Sequence, residues 1–147
     1  SEKEQIKIEY TGVEAYPVLF SEIEKLNYPK LVGSSERIFE KLHQVPWEKP
    51  TQISENFILK KRKLFFSEID EVDAYNLIYF DAFGARVQPE LWTEAIFEKM
   101  YRALKPEGVL VTYAAKGSVR RAMEAVGFKV ERLPGPPGKR EMLRSVR

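Results

Sequence analysis

From Asn76 to the C-terminus, short apolar runs alternate with longer segments whose apolar residues recur at helical spacing. This alternation limits the chain to an α/β architecture. Asn76-Leu77-Ile78-Tyr79-Phe80 reads as a buried strand. Thr93 caps a helix whose inner face is Ile96, Phe97, Met100 and Leu104, stopped by Lys105-Pro106-Glu107-Gly108. Val109 to Tyr113 is a second buried strand. Ser118 opens a helix with Val119, Ala122, Met123 and Val126 on one face, and Gly127 is its C-terminal cap. Phe128 to Arg132 is a strand, and a Gly-Pro loop, Pro134 to Gly138, leads to a last strand from Arg140 to Val146. Helices between strands imply a mostly parallel sheet covered on both faces. The final two strands, joined by a short loop, imply an antiparallel pair at one edge.

The first half is less regular. Ile6 to Tyr10 alternates as a half-buried strand that runs on to Val13-Glu14. Pro17 suits the first turn of a helix carrying Leu19, Phe20, Ile23 and Leu26, ended by Pro29. Ser34 or Ser35 caps a second helix with Ile38, Phe39 and Leu42 on one face. The stretch from His43 to Thr51, with Pro46, Trp47 and Pro50, reads as a loop. Phe57 to Phe66 is strand-like with a polar middle, as one strand or as two with a tight turn, and Ser67 to Asp70 is a turn. With 147 residues and no linker, the expectation is one domain spanning residues 1–147.

Composition narrows the chemistry. Cysteine is absent and His43 is the single histidine, which argues against disulfides, thiolate metal sites and a His-rich metal centre; no metal is expected. No apolar stretch approaches a membrane span, so no membrane partner is expected and the cytoplasm is the default compartment. Net charge is +2, unevenly distributed: residues 116–147 hold nine Lys/Arg against three Asp/Glu. A basic C-terminal fifth suits a phosphate-rich partner as well as a salt-bridged surface.

The apolar run at residue 76 ends in Asp81-Ala82-Phe83-Gly84. It delivers a carboxylate at the C-terminal tip of a strand, where open α/β sheets place their ligands. Glu14, ending the first strand, is in a position to accept a pair of ribose hydroxyls. Trp92 reads as packing where the loop after Asp81 enters the following helix.

The ending of helix, strand, Gly-Pro loop and antiparallel strand resembles the class I S-adenosylmethionine-dependent methyltransferase fold, a Rossmann-like sheet. The residues carry the resemblance further. Asp81-Ala82-Phe83, Pro89-Glu90-Leu91-Trp92-Thr93, Leu104-Lys105-Pro106-Glu107-Gly108, Thr112-Tyr113-Ala114-Ala115, Val119-Arg120-Arg121-Ala122, Gly127-Phe128 and Lys139-Arg140-Glu141-Met142 form an ordered set. Together they resemble the methyltransferase domain of MnmC-type tRNA-modifying enzymes, from about Tyr10 to the C-terminus. The resemblance implies S-adenosylmethionine as cofactor, tRNA as partner, and methylation of the exocyclic amine of 5-aminomethyl-2-thiouridine at the wobble position. It implies a catalytic role for Asp81, which is also a cofactor-site residue. Glu14 is implied for the ribose, and Glu68 or Ser67 for the adenine. Phe83 and Tyr113 are candidates for the uridine, and Lys116, Arg120, Arg121, Lys139 and Arg140 for tRNA phosphates. Two alternatives remain open: a non-catalytic tRNA-binding or interaction module of the same fold, and a methyltransferase with another amine acceptor.

One departure stands out. The family begins with a strand and a glycine-rich loop against the methionine part of the cofactor, and the eight glycines here form no such loop. In the usual strand order 3-2-1-4-5-7-6 the missing strand is the central one. The expectation is therefore either an incomplete sheet, completed by a further N-terminal segment or a partner chain, or a sheet that closes in an unusual way, with low stability of these 147 residues alone.

Overall fold

The β-forming run after residue 6 becomes strand β1, Ile8–Val13. The computed structural model describes residues 6–138 and 140–147. They fall into two compact units, with the boundary between Phe65 and Phe66.

In the first unit β1 leads to three short helices: α1, Phe20–Ile23; α2, Tyr28–Val32; and α3, Glu36–Gln44. Pro29 does not end a helix as expected. It lies in the first turn of α2, where its missing amide hydrogen costs nothing, and Gly33 closes that helix in the left-handed conformation (φ 63°). Ser35 is the N-terminal cap residue of α3. Next come β2, Thr51–Ser54, and β3, Phe57–Arg62, an antiparallel pair around Glu55-Asn56. Strand β2 is not anticipated by the sequence pattern. Four residues with polar Gln52 and Ser54 give little alternation to detect, and the strand exists by pairing with β3. The sheet order is β1-β3-β2, with β1 and β3 parallel from Ile8↔Phe57 to Val13↔Arg62.

The second unit opens with a 3-10 turn, Phe66–Glu68, and then β4, Tyr75–Tyr79. A second 3-10 turn, Pro89–Trp92, precedes α4, Glu94–Ala103. Strand β5, Leu104–Thr112, follows without a loop. Leu104 thus begins the strand rather than ending the helix, and is fully buried in either role. The expected stop at Lys105 to Gly108 survives as a kink inside β5. Glu107 takes the left-handed backbone (φ 62°), and a Cβ on Gly108 would lie 2.8 Å from the Lys105 carbonyl oxygen. Helix α5, Gly117–Ala125, leads to β6, Lys129–Pro134, and β7, Glu141–Val146.

This sheet has the order β4-β5-β7-β6. β4 and β5 are parallel; β7 is antiparallel to both β5 and β6. The expected C-terminal antiparallel pair is present, and the order reproduces the 4-5-7-6 half of the anticipated sheet. Ile96, Phe97, Met100 and Ala103 of α4 and Val119, Ala122 and Met123 of α5 are buried, as are Leu110, Thr112, Leu143 and Ser145 of the sheet. Full burial of each large apolar side chain contributes about 1.5–3 kcal/mol before entropy is counted. The buried Ser145 hydroxyl is satisfied by the Met123 sulfur at 3.8 Å.

β4 departs from the expected fully buried strand. Ile78 and Phe80 turn inward while Leu77 and Tyr79 are exposed, Tyr79 at 67%. Period-2 geometry puts these pairs on opposite faces, and among the described residues only one face is well covered.

Candidate active site

Strand β4 runs beside β5 in parallel register, with Tyr79 opposite Val111. The last ladder bond runs from the Phe80 amide to the Val111 carbonyl at 2.9 Å. Asp81 then leaves the sheet at the C-terminal end of β4, and its residue is exposed. On the neighbouring strand Tyr113 follows Thr112, the last residue of β5, and is 49% exposed. The Thr112 hydroxyl oxygen accepts the Ala114 amide at 3.2 Å and turns the chain towards α5.

Phe83 is 73% exposed, so it does not fill the core. Its ring stands in solvent two residues beyond Asp81, available for stacking. Trp92 is nearly buried and donates its indole N–H to the Phe83 carbonyl at 2.8 Å. That hydrogen bond has no sequence signature, although the proximity of Trp92 to this loop was foreseen.

Other candidates gather at the same end of the sheet. Lys116 caps the start of α5, directly after β5. Arg120 and Arg121 follow in the first turns of α5. Arg120 is engaged by Glu124 at 2.7 Å, whereas Arg121 is exposed and folds its guanidinium near Gly117. Antiparallel pairing of Thr112 with Leu143 brings the β6–β7 loop to this end as well. Arg140 in that loop is exposed, and its carbonyl accepts the Gly135 amide at 3.2 Å. Lys139 lies outside the described residues.

The rest of the basic tail is largely structural. Arg132 meets Glu141 at 3.6 Å, Arg144 pairs with Glu131, and Arg147 pairs with Asp73. Arg147 also donates to the Leu104 carbonyl and places its guanidinium 5.2 Å from the Tyr101 ring centre. It fastens the end of β7 rather than reaching a ligand.

Glu14 belongs to the first unit and follows β1 at its C-terminal end. It is exposed, its amide donates to the Arg62 carbonyl at 3.0 Å, and its Oε1 accepts the Tyr16 amide at 2.9 Å. Ser67 and Glu68 are exposed in the first 3-10 turn of the second unit. Among the described residues, no group of three or more His, Asp or Glu side chains is arranged to hold a metal ion, and no helix is long and apolar enough to cross a membrane.

The sequence profile of an S-adenosyl-L-methionine-dependent methyltransferase family matches residues 35–147. The chain belongs to that family. A curated relative, the tRNA 5-methylaminomethyl-2-thiouridine biosynthesis bifunctional protein MnmC of Aeromonas hydrophila, is 27% identical over 159 aligned residues, which cover 96% of this chain and 23% of the relative. The crystal structure of MnmC2 from Aquifex aeolicus superposes with a TM-score of 0.67 at 21% identity, covering 95% of this chain and 43% of that one. The antibiotic-resistance methyltransferase Kmr superposes with a TM-score of 0.50 at 15% identity, covering 92% of this chain and 73% of that one. The anticipated resemblance to an MnmC-type methyltransferase domain and the class I fold are both borne out. The chain spans about a quarter of the length of the curated relative and less than half of the Aquifex protein.

S-adenosylmethionine is the family's cofactor, and an exposed carboxylate in each unit suits part of it. Exposed carboxylates end β1 (Glu14) and β4 (Asp81) and can accept from hydroxyl and ammonium donors. Gly12 is inside β1, and Gly33 and Gly127 close helices.

Proposed function

We propose that this chain takes part in methyl transfer to the exocyclic amine of 5-aminomethyl-2-thiouridine, or its 2-oxo counterpart, at the wobble position of tRNA. The observation that carries the reading is the exposed Asp81 carboxylate at the C-terminal tip of β4, at one sheet end with exposed Phe83 and Tyr113 and with Lys116, Arg121 and Arg140. The role of the Aeromonas relative in 5-methylaminomethyl-2-thiouridine biosynthesis supports the choice of acceptor.

S-adenosylmethionine, when bound, supplies a sulfonium methyl group whose C–S bond breaks, leaving the pair on sulfur, as the acceptor nitrogen forms its new bond to carbon. Only the neutral amine has a lone pair for that bond. Asp81 accepts an N–H of the amine, aims its lone pair, and stabilises the cation that forms until a proton leaves to the carboxylate or to water. Within the second unit Glu68 or Ser67 would hold the adenine edge, and the ribose role of Glu14, in the first unit, rests on the family resemblance alone. Phe83 and Tyr113 present aromatic surface to the uridine, since base-on-aromatic stacking contributes about 1–3 kcal/mol per base. Lys116, Arg121 and Arg140, with Lys139 and the Glu124-paired Arg120, meet phosphates, which position the RNA without reading its sequence.

The test is Asp81→Asn in the complete protein. Turnover on tRNA bearing the aminomethyl group should fall by about 10²- to 10⁴-fold. S-adenosylmethionine affinity by calorimetry should be largely kept. Wild-type turnover in this variant would remove Asp81 from the mechanism, and equal turnover on tRNA lacking the wobble amine would remove the proposed acceptor.

A further inference from the structure

Beyond the Phe80 amide, the loop that carries Asp81 has left the sheet. Its internal bonds are local: the Val87 and Gln88 amides both donate to the Gly84 carbonyl, at 2.7 and 3.3 Å. Among the described residues, the hydrogen bond that reaches residues 81–83 from the core is the one from Trp92 Nε1 to the Phe83 carbonyl. Trp92 is 7% exposed. Its ring meets Phe80 edge-on at 5.1 Å and 79°, and Phe97 at 6.3 Å and 61°. Phe80 is 3% exposed and also touches Phe66 and Phe97, each at 5.4 Å between ring centres.

One side chain therefore holds both flanks of Asp81. It packs against the ring of the residue before and bonds the carbonyl two residues after. With both flanks fixed, the three peptide units from Phe80 to Phe83 have few ways to run, and they set the direction of the Asp81 Cα–Cβ bond. An otherwise exposed loop could place its carboxylate over a range of positions, and a misplacement of about 1 Å can cost about 10²-fold in rate.

We infer that Trp92 is a positioning residue for the Asp81 carboxylate, acting through the indole hydrogen bond to Phe83. This rests on the proposed methyl transfer, in which Asp81 contacts the acceptor amine. Trp92 reaches neither substrate nor cofactor; it sets where the carboxylate points.

Trp92→Phe in the complete protein keeps an aromatic ring in the stack and removes the N–H. Phe97→Leu loosens the same stack and keeps the N–H. The expected result is a fall in kcat of about 10- to 100-fold for Trp92→Phe. The KM for S-adenosylmethionine should stay within about twofold, because Asp81 aim affects the reacting amine more than ground-state cofactor binding. Phe97→Leu should lower Tm at least as much while retaining most of kcat. Loss of kcat in proportion to Tm across both variants, or unchanged kcat in Trp92→Phe, would overturn the inference.

An independent readout is the indole of Trp92, which with Trp47 makes up the tryptophans of these 147 residues. In ¹⁵N-labelled protein one indole N–H should exchange slowly with solvent and vanish in Trp92→Phe, with shifts at the amides of residues 82–84. If the wild-type protein transfers no methyl to the tRNA, the proposed reaction is what fails. The clamp is then judged by NMR alone: a protected indole with those shifts sustains it, and rapid exchange overturns it.

Discussion

Lys61 shows how a single charged residue is shaped by its surroundings. Its ammonium donates to the His43 carbonyl at 2.6 Å and lies 4.9 Å from the centre of the Trp47 ring. Its own carbonyl accepts the Glu48 amide at 2.7 Å. Burial disfavours the charged form and pushes the amine below its ordinary value of 10.5. The sign follows from proton counting. Between the lowered folded value and 10.5 the unfolded chain binds more protons than the folded one, so stability rises with pH through that window and levels above it. Lys61→Met should lack this rise. Urea midpoints of the two proteins, measured from neutral pH up to the ordinary lysine range, should therefore diverge in favour of wild type as pH increases; a constant difference would show that Lys61 titrates alike in both states. Legibility at this scale depends on distance along the chain. The Arg120–Glu124 pair is four residues apart and could be read from helical spacing. The Arg147–Asp73 pair spans half the sequence and could not.

Elements were legible where one residue enforces a local conformation. Gly127 is such a case. The Phe128 amide donates to the Met123 carbonyl at 3.2 Å and the Gly127 amide to the Glu124 carbonyl at 3.1 Å, the two bonds of a Schellman closure for α5. Gly127 holds φ at 107°, and a Cβ there would lie 3.3 Å from the Tyr101 ring. Gly127→Ala should thus destabilise the protein by about 1–3 kcal/mol, read from urea unfolding, and a neutral effect would mean that α5 ends in another way. Elements that exist by pairing were harder to see. β2 forms only against β3, and Pro29 could be read equally as the end of one helix or the start of the next. The strand tip bearing Asp81 was legible because the apolar run ends sharply there. The exposure of one of its faces was not, since Leu77 and Tyr79 differ from Ile78 and Phe80 only in what covers them.

At the scale of the whole chain, the two units differ in how much apolar surface they hide. Of the sixteen buried hydrophobic residues among those described, only Val45 and Leu59 fall before residue 66. The other fourteen include Phe97, Leu104, Leu110, Met123 and Leu143, which are almost completely shielded. In the first unit Tyr16, Leu19, Tyr28, Leu31 and Val32 remain exposed. Each sheet also ends on a strand, β1 in one and β4 in the other, with no partner on its outer side among the described residues. Hydrophobic burial is the main term opposing conformational entropy, so a unit with so few shielded side chains has little to hold its backbone closed. The 147 residues studied alone should therefore open in parts. Amides of β5, β7 and α4 should be the last to exchange with deuterium, those of α1 and α2 among the first, and limited proteolysis should cut within residues 14–35 before it touches the second unit. Uniform protection across both units, with one cooperative unfolding transition seen by every probe, would show that the first unit is held by more than its own core.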